Sequence, residues 1–315
     1  FEQYDPLVGS RTVRRPAEAE AAVLHLAGDG GHGALAVAIE GNGRRVACDP
    51  YVGAVEAVLE CAANLACVGA EPLGLTNCLN FGNPEKPHIA WQLTQAIDGL
   101  ADACRALDTP VVGGNVSLYN EAPEGPIYPT PVVGMVGKLP DPGIAPVNSF
   151  TREGLVVALA GPFEPSLAGS ELEKLRGRMA DGLSQVDLPR HARALAIVRE
   201  AARSGLVLAA HDIAEGGLAV ALAEMSIPAR IGVRARIEQD AFDTWAYGEG
   251  AGGFLLACAP EDFDSLAAIC ADIPFVRLGE TGGNEVVLEG ATASLSLQVE
   301  EAVKAYEEAV PSSFE

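Results

Sequence analysis

The chain has 315 residues, 49% of them apolar and 20% charged, enough for two folded domains. Its 43 acidic residues against 21 basic ones give a formal net charge of −22, which excludes a nucleic-acid binder relying on a basic footprint. The apolar runs are broken by Glu56, Glu60, Asp98 and Glu224, well short of the ~20 uninterrupted residues a membrane-spanning helix needs.

The chain opens at Phe1 with no charged and apolar leader before a cleavage site. A signal peptide is therefore not expected, and the missing Met suggests a piece of something longer. Residues 21–27, 33–40 and 44–48 read as short strands, separated by turns at 28–31 and 41–43. Asp49-Pro50 opens a helix over 52–68, with Ala54, Val58, Ala62, Leu65 and Val68 on its apolar face. Gly69 ends it. A buried strand at 73–75 then leads into a polar turn, Thr76-Asn77-Cys78-Leu79-Asn80-Phe81-Gly82-Asn83-Pro84.

The next helix begins near Pro87 and carries Ile89, Leu93, Ile97, Leu100, Cys104 and Leu107 on one stripe. A strand at 110–112 runs into Gly113-Gly114-Asn115-Val116-Ser117, and 130–139 is another strand. Three prolines and a glycine between 139 and 150 cannot continue a helix or central strand. The expected division is therefore a first domain over 1–140, a linker over 141–150 and a second domain over 151–315.

The second half restarts with a strand at 155–160 and a helix over 188–204 that ends at Gly205. A strand at 206–209 runs into His211-Asp212-Ile213-Ala214-Glu215-Gly216-Gly217, the start of another helix. Strands at 254–258, 275–278 and 285–288 and a helix at 299–309 follow. Both halves mix strands and helices, an α+β or α/β layering.

Two segments invite a chemical reading. Gly113 and Gly114 would let the backbone approach a ligand closely, and Asn115 and Ser117 could hold a magnesium-bound phosphate and a polar substrate. A tight turn accounts for the glycines equally well, but not for Asn115 and Ser117 together. The paired strand-end loops around Asn77 and Asn115 then read as two walls of one nucleotide site, although Asn77 and Asn80 also suit ordinary turns.

His211-Asp212 reads more readily as an Asp cap than as a metal or anion site at a helix start. His25, His32, His88 and His191 form no spaced ligand set. Seven cysteines without a C-x-x-C pair suit reduced core thiols in the cytoplasm. Cys78 falls inside a candidate loop with no adjacent histidine to activate it. The phosphate loop, dinucleotide fingerprint, zinc-protease helix and nucleophile elbow are all missing.

Three motifs in order, Tyr4-Asp5-x-x-Val8-Gly9-Ser10-Arg11-Thr12-Val13, the 76–85 turn and Gly113-Gly114-Asn115-Val116-Ser117-Leu118-Tyr119-Asn120-Glu121, resemble one family. It is phosphoribosylformylglycinamidine synthase, in the C-terminal half of its synthetase subunit. With His211 to Leu218 as the second-domain motif, the resemblance covers nearly the whole chain.

The resemblance implies a two-domain aminoimidazole ribonucleotide synthetase-like unit, with an open half-barrel sheet followed by an α/β sandwich. It implies a ligase of purine biosynthesis that uses ATP and Mg2+ to convert formylglycinamide ribonucleotide and glutamine-derived ammonia to formylglycinamidine ribonucleotide. Such chemistry needs charge neutralisation and alignment more than covalent catalysis.

Carried over, Asn77 and Gly114 would contact ATP, Asn115 would ligate magnesium and Ser117 would touch the substrate. No catalytic residue is assigned to this half. The implied partners are the N-terminal half of the synthetase, a glutaminase subunit and a small bridging subunit, with a dimer through the N-terminal domain and neither nucleic acid nor membrane. Asn77 replaces an aspartate of some relatives, and Gly248-Glu249-Gly250 continues as Ala251-Gly252-Gly253 where relatives carry Glu-Ser-Gln. The second site is therefore expected to be degenerate or structural. Two other readings stay open, an assembly half with a decayed nucleotide site and a self-contained homodimeric member of the wider superfamily.

Overall fold

The computed structural model describes residues 11–26, 33–179 and 182–314. Positions 4–10 of the first motif, the 28–31 turn and His32 lie outside the described residues. The first half carries β1 (Thr12–Arg14), β2 (Ala22–His25), β3 (Ala34–Glu40), α1 (Gly43–Cys48), α2 (Pro50–Cys67), β4 (Glu71–Asn80) and α3 (Pro87–Ala106). It continues with β5 (Val111–Ser117), β6 (Glu121–Ala122), β7 (Gly125–Pro126) and β8 (Thr130–Leu139).

The second half adds β9 (Val156–Ala160), α4 (Glu171–Leu175), α5 (Leu188–Arg203), β10 (Val207–Asp212), α6 (Gly217–Ser226), β11 (Val233–Arg236) and α7 (Phe242–Tyr247). It ends with β12 (Phe254–Cys258), α8 (Phe263–Ile269), β13 (Phe275–Thr281), β14 (Glu285–Glu289), β15 (Ser294–Gln298) and α9 (Val299–Glu308).

Two open mixed sheets carry the fold. One is six-stranded in the order β1-β2-β3-β8-β4-β5, and the other seven-stranded in the order β10-β12-β9-β13-β11-β14-β15. In the first, only β4 and β5 run parallel, joined by the crossover helix α3. Such a parallel connection needs a crossover of a dozen or more residues.

The expected strand at 44–48 is instead α1. Asn42 caps it, its side-chain oxygen accepting from the N–H groups of Arg44 and Arg45 at 3.2 Å each. The cap starts a helix in a stretch that pattern alone placed in a sheet.

α2 lies at the centre of the molecule, and nearly every residue along it is buried. Its alanines keep the helix thin enough to pack on the first sheet on one side and on α5 and β10 on the other. Gly99 of α3 closes against it, since a Cβ there would sit 2.3 Å from the Tyr51 carbonyl oxygen.

Three contacts tie the halves together through polar groups. Arg44 donates to the Gly169 carbonyl at 3.0 Å and pairs with Glu171 at 2.7 Å. Arg45, buried with Glu56, makes two 2.7 Å bonds to that carboxylate and a third to the Ala168 carbonyl. Arg203 reaches the Gly69 carbonyl at 2.7 Å. A buried pair of this kind costs several kcal/mol to desolvate, so the bidentate geometry mainly fixes position rather than adding stability.

The 141–150 segment carries a 3-10 turn at Pro142–Ile144 but is anchored, with Ala210 N donating to the Val147 carbonyl and Phe150 N to that of Met225. Phe150 itself is buried.

The helices α2 and α3 cover one face of the first sheet. On the other face Val37, Ile39 and Val136 are exposed, with Ile39 at 70%. Among the described residues nothing packs over that apolar face. Among them, too, no helix is long and apolar enough to cross a membrane.

Candidate functional site

The residues singled out around 77 and 115 do not sit in strand-end loops. β4 continues through Asn80 and β5 through Ser117, paired as Asn77 with Gly114, Cys78 with Asn115 and Asn80 with Ser117. Parallel pairing satisfies these main-chain groups, so the polar side chains ride on strands rather than interrupt them.

Strand alternation then separates the four predicted residues. Leu79 is buried against the helices, which places Asn77 and Gly114 on that side of the sheet. Asn115 and Ser117, with Cys78 and Asn80, lie on the open side. β5 is the edge strand, exposed along almost its whole length. Its outer main-chain row has no strand partner among the described residues, which makes the edge a template for a ligand or another chain.

The glycines have distinct reasons. A Cβ at Gly114 would meet both the main-chain and side-chain oxygens of Asn77 at 2.7 Å, so glycine is required by its strand neighbour. A Cβ at Gly113 would meet nothing nearer than Thr76 Oγ1 at 3.8 Å. Only Gly113 is therefore unexplained by packing.

On the open side, Asn115 Nδ2 approaches Cys78 Sγ at 3.7 Å, and Oδ1 has no hydrogen-bond partner among the described residues. Ser117 and Asn120 are hydrogen-bonded at the strand end. Between them Tyr119 is exposed and held at φ 61°, a conformation costing a non-glycine residue about 1–3 kcal/mol and found where the surroundings enforce it. Lys86 and Asn83 N both bind Glu121 Oε1, fastening the 81–86 turn to the same rim.

A second site gathers around His211-Asp212, the pair weighed from sequence as a cap or as a metal or anion site, and draws in acids that the sequence did not point to. Glu20, Glu40, Glu60, Asn64, His211, Asp212, Glu215 and Glu224 line a cavity of about 520 Å³ between the two sheets. Ile227, Pro228 and Tyr306 contribute to its wall. The expected Asp212 cap is overturned: α6 starts with Gly216 as N-cap and no side-chain cap bond, while Asp212 is the buried end of β10.

His211 Nε2 lies 3.6 Å from Glu20 Oε1 and 3.6 Å from Glu224 Oε2. Glu20, His211 and Asp212 bring one ligand atom each within 4.8 Å of one another, the one such grouping among the described residues. Burial pushes the Glu20 and Glu40 carboxyls up to about 8 each, reinforced by Glu224 for the first and by Asp212 and Glu215 for the second. Burial raises Asp212 and Glu60 well above the usual carboxylate range as well, helped by their acidic neighbours.

The donor set fits a divalent cation. Glu20 Oε1 is buried with no hydrogen-bond partner, and carboxylate oxygens and one imidazole nitrogen suit hard or borderline metals. Asn115 is a poorer centre by itself, offering a single oxygen, so a metal there would draw most of its ligands from phosphates or another segment. The sequence clue was Glu60, an acid on an otherwise apolar helix, read only as a break in a hydrophobic run.

Glu249 is buried, and its Oε2 has no hydrogen-bond partner among the described residues. Its Oε1 accepts from Gly216 N at 2.9 Å and Glu171 N at 2.7 Å, joining two helix starts. The neighbouring glycines leave no side chain there beyond Ala251.

Two domain models match this chain: AIR synthase related protein, N-terminal domain, over residues 18–139, and its C-terminal domain over 152–290. A Moorella thermoacetica protein named phosphoribosylformylglycinamidine synthase subunit PurL is 44% identical over 99% of the chain, which covers 43% of that protein. The chain thus spans less than half the length of the curated relatives it matches.

A solved structure of T. maritima PurL complexed with FGAR has a TM-score of 0.76 at 18% identity, over 93% of this chain and 49% of that one. Another, complexed with ATP, has a TM-score of 0.61 at 24% identity, over 90% and 40%. At these identities the likeness is one of fold.

Proposed function

The chain belongs to the AIR synthase related family, and from that premise we propose that it is the C-terminal half of an ATP-dependent carbon–nitrogen ligase. Its reaction is the conversion of formylglycinamide ribonucleotide, with ammonia delivered from glutamine, to formylglycinamidine ribonucleotide in the cytoplasm. The 44% identical relative bears the name of that synthase, and the T. maritima structures were solved with FGAR and with ATP.

One observation carries the reading. The first sheet leaves an apolar face uncovered and a polar edge strand unpaired, and that edge holds Asn115 and Ser117. An apolar face of this kind marks an interaction surface. The occupant proposed is the matching sheet of the N-terminal half, which closes a barrel and completes the site at the β5 edge. A glutaminase subunit and a small bridging subunit supply ammonia to the assembled enzyme. The division into domains at 141–150 leaves the first domain to make the site and the second to support it.

A phosphate chain crossing the β5 edge would reach both faces of the strand pair. Asn77 and the Gly114 main chain would meet it on the helix side, with Asn115 Oδ1 and Ser117 on the open side. Mg2+, when bound, neutralises phosphate charge, and Asn115 supplies one of its oxygens. The chain's own contribution is alignment: rigid strands hold these groups in place without reorganisation during reaction.

The test is turnover with ATP, formylglycinamide ribonucleotide and ammonium. The chain alone is expected to give no turnover above background, and to gain it on mixing with the N-terminal half. Full activity from the chain alone would overturn the proposal in favour of a self-contained homodimer.

A further inference from the structure

Asn120 stands at the end of β5, beyond the residues assigned so far, and its side chain is fully engaged. Its main-chain N–H donates to the Phe81 carbonyl at 3.1 Å, and its Nδ2 donates to the same oxygen at 3.1 Å. The second Nδ2 hydrogen goes to the Ser117 carbonyl at 2.9 Å. Carbonyl oxygens only accept, so these two bonds fix which end of the amide is nitrogen.

The remaining atom, Oδ1, faces Ser117 Oγ at 3.2 Å. An amide oxygen is an acceptor, and the hydroxyl therefore spends its single proton on Asn120. What Ser117 has left is lone pairs. Nδ2 also lies 3.1 Å from Ser117 Oγ, but both its hydrogens are committed to carbonyls. The Ile127 N–H closes over the Asn120 carbonyl at 3.1 Å, holding the turn from its other side.

We infer that Asn120 is a positioning residue that fixes the Ser117 hydroxyl as an acceptor, so that the substrate group meeting Ser117 is a donor, an N–H or O–H. The inference rests on the assignment of Ser117 to the substrate. It deepens that assignment by giving the polarity of the contact. A site built to accept a hydrogen bond discriminates against an analogue lacking the donor, because the site oxygen is then left unpaired.

Steady-state kinetics on the two halves combined test it, using Ser117→Ala, Asn120→Ala, their double variant and Asn120→Asp. Ser117→Ala and Asn120→Ala are each expected to raise the ribonucleotide KM about tenfold, the worth of one hydrogen bond, with the ATP KM unchanged. The double variant is expected to match either single, since both remove one contact. Asn120→Asp keeps an oxygen for the Ser117 proton but sets a second one against the Phe81 and Ser117 carbonyls, so its ribonucleotide KM should fall between those of the parent and of Asn120→Ala.

Additive effects in the double variant would overturn the inference and leave Asn120 as a brace for the turn. An unchanged KM in Ser117→Ala would instead overturn the assignment of Ser117, and the inference with it. If Asn120→Ala fails to fold, Asn120→Asp takes its place in the double-variant comparison with Ser117→Ala, and additivity there overturns the inference in the same way.

Discussion

Asn115→Ala in the combined halves lowers kcat by about 10²–10³-fold, the usual effect of losing one preorganised electrostatic group. Its Nδ2 is turned to Cys78 and, among the described residues, its Oδ1 has no hydrogen-bond partner. The alanine variant removes that oxygen while leaving the strand pairing intact, because Asn115 contributes no packing to the core. Asn115→Asp keeps an oxygen at the same position and is expected to recover a substantial part of the rate. An unchanged rate in Asn115→Ala would favour the assembly reading, in which this half shapes the barrel and does no chemistry.

Glu60→Gln tests the acidic cavity, and there the expected effect is on stability. Glu60 lies on the cavity floor, reached by water yet enclosed by protein, with Glu215, Glu40 and Asp212 around it. The folded-state values of Glu20 and Glu40, pushed up to about 8, lie above the ordinary 4.5 of an unfolded chain. Between those limits the folded protein holds protons that the unfolded chain has released. Stability without divalent cations therefore falls as pH rises from about 4.5 to about 8.

Removing one carboxylate relieves part of that fall. Glu60→Gln is expected to match the parent at pH 5 and to exceed it at pH 8, by on the order of 1–2 kcal/mol. Chemical denaturation at the two pH values in chelator measures this. A parent profile that is flat, or a variant less stable at pH 8, would show that the carboxylates do not repel one another there. Mg2+ added at pH 8 should stabilise the parent and act less on the variant, since a cation that binds only the folded state adds to its stability.

The fold was legible where periodicity was strong. The patterns at 87–107 and 52–68 matched helices α3 and α2 within a few residues, because burial on one side imposes the 3.6 spacing, although Ile97 of the expected α3 stripe is exposed. β11, β15 and the short helices α4, α7 and α8 were missed, each too short to establish a period. The error at 44–48 arose where a cap at Asn42 outweighed the strand pattern.

The candidate site was legible as residue types but not as geometry. Gly113, Gly114, Asn115 and Ser117 looked like a loop because glycine and asparagine favour turns. The structure extends the strands through them, since a parallel neighbour satisfied the backbone and Gly114 was needed to clear Asn77. Alternation then put Asn77 and Asn115 on opposite faces, a consequence of register that one strand's sequence does not carry. The acidic cavity drew on residues as far apart as Glu20 and Glu224. No local motif unites them, and strands and helices of both halves, Glu60 from α2 and Glu224 from α6 among them, bring them together.

Amide hydrogen exchange along Val111–Ser117 tests most directly whether this edge is completed by another chain. In the chain alone these exposed edge amides are expected to exchange quickly, and mixing with the N-terminal half should slow them by at least about tenfold as the outer row finds partners. Exchange at β5 that is the same with and without the N-terminal half, in a mixture that turns over substrate, would contradict the account.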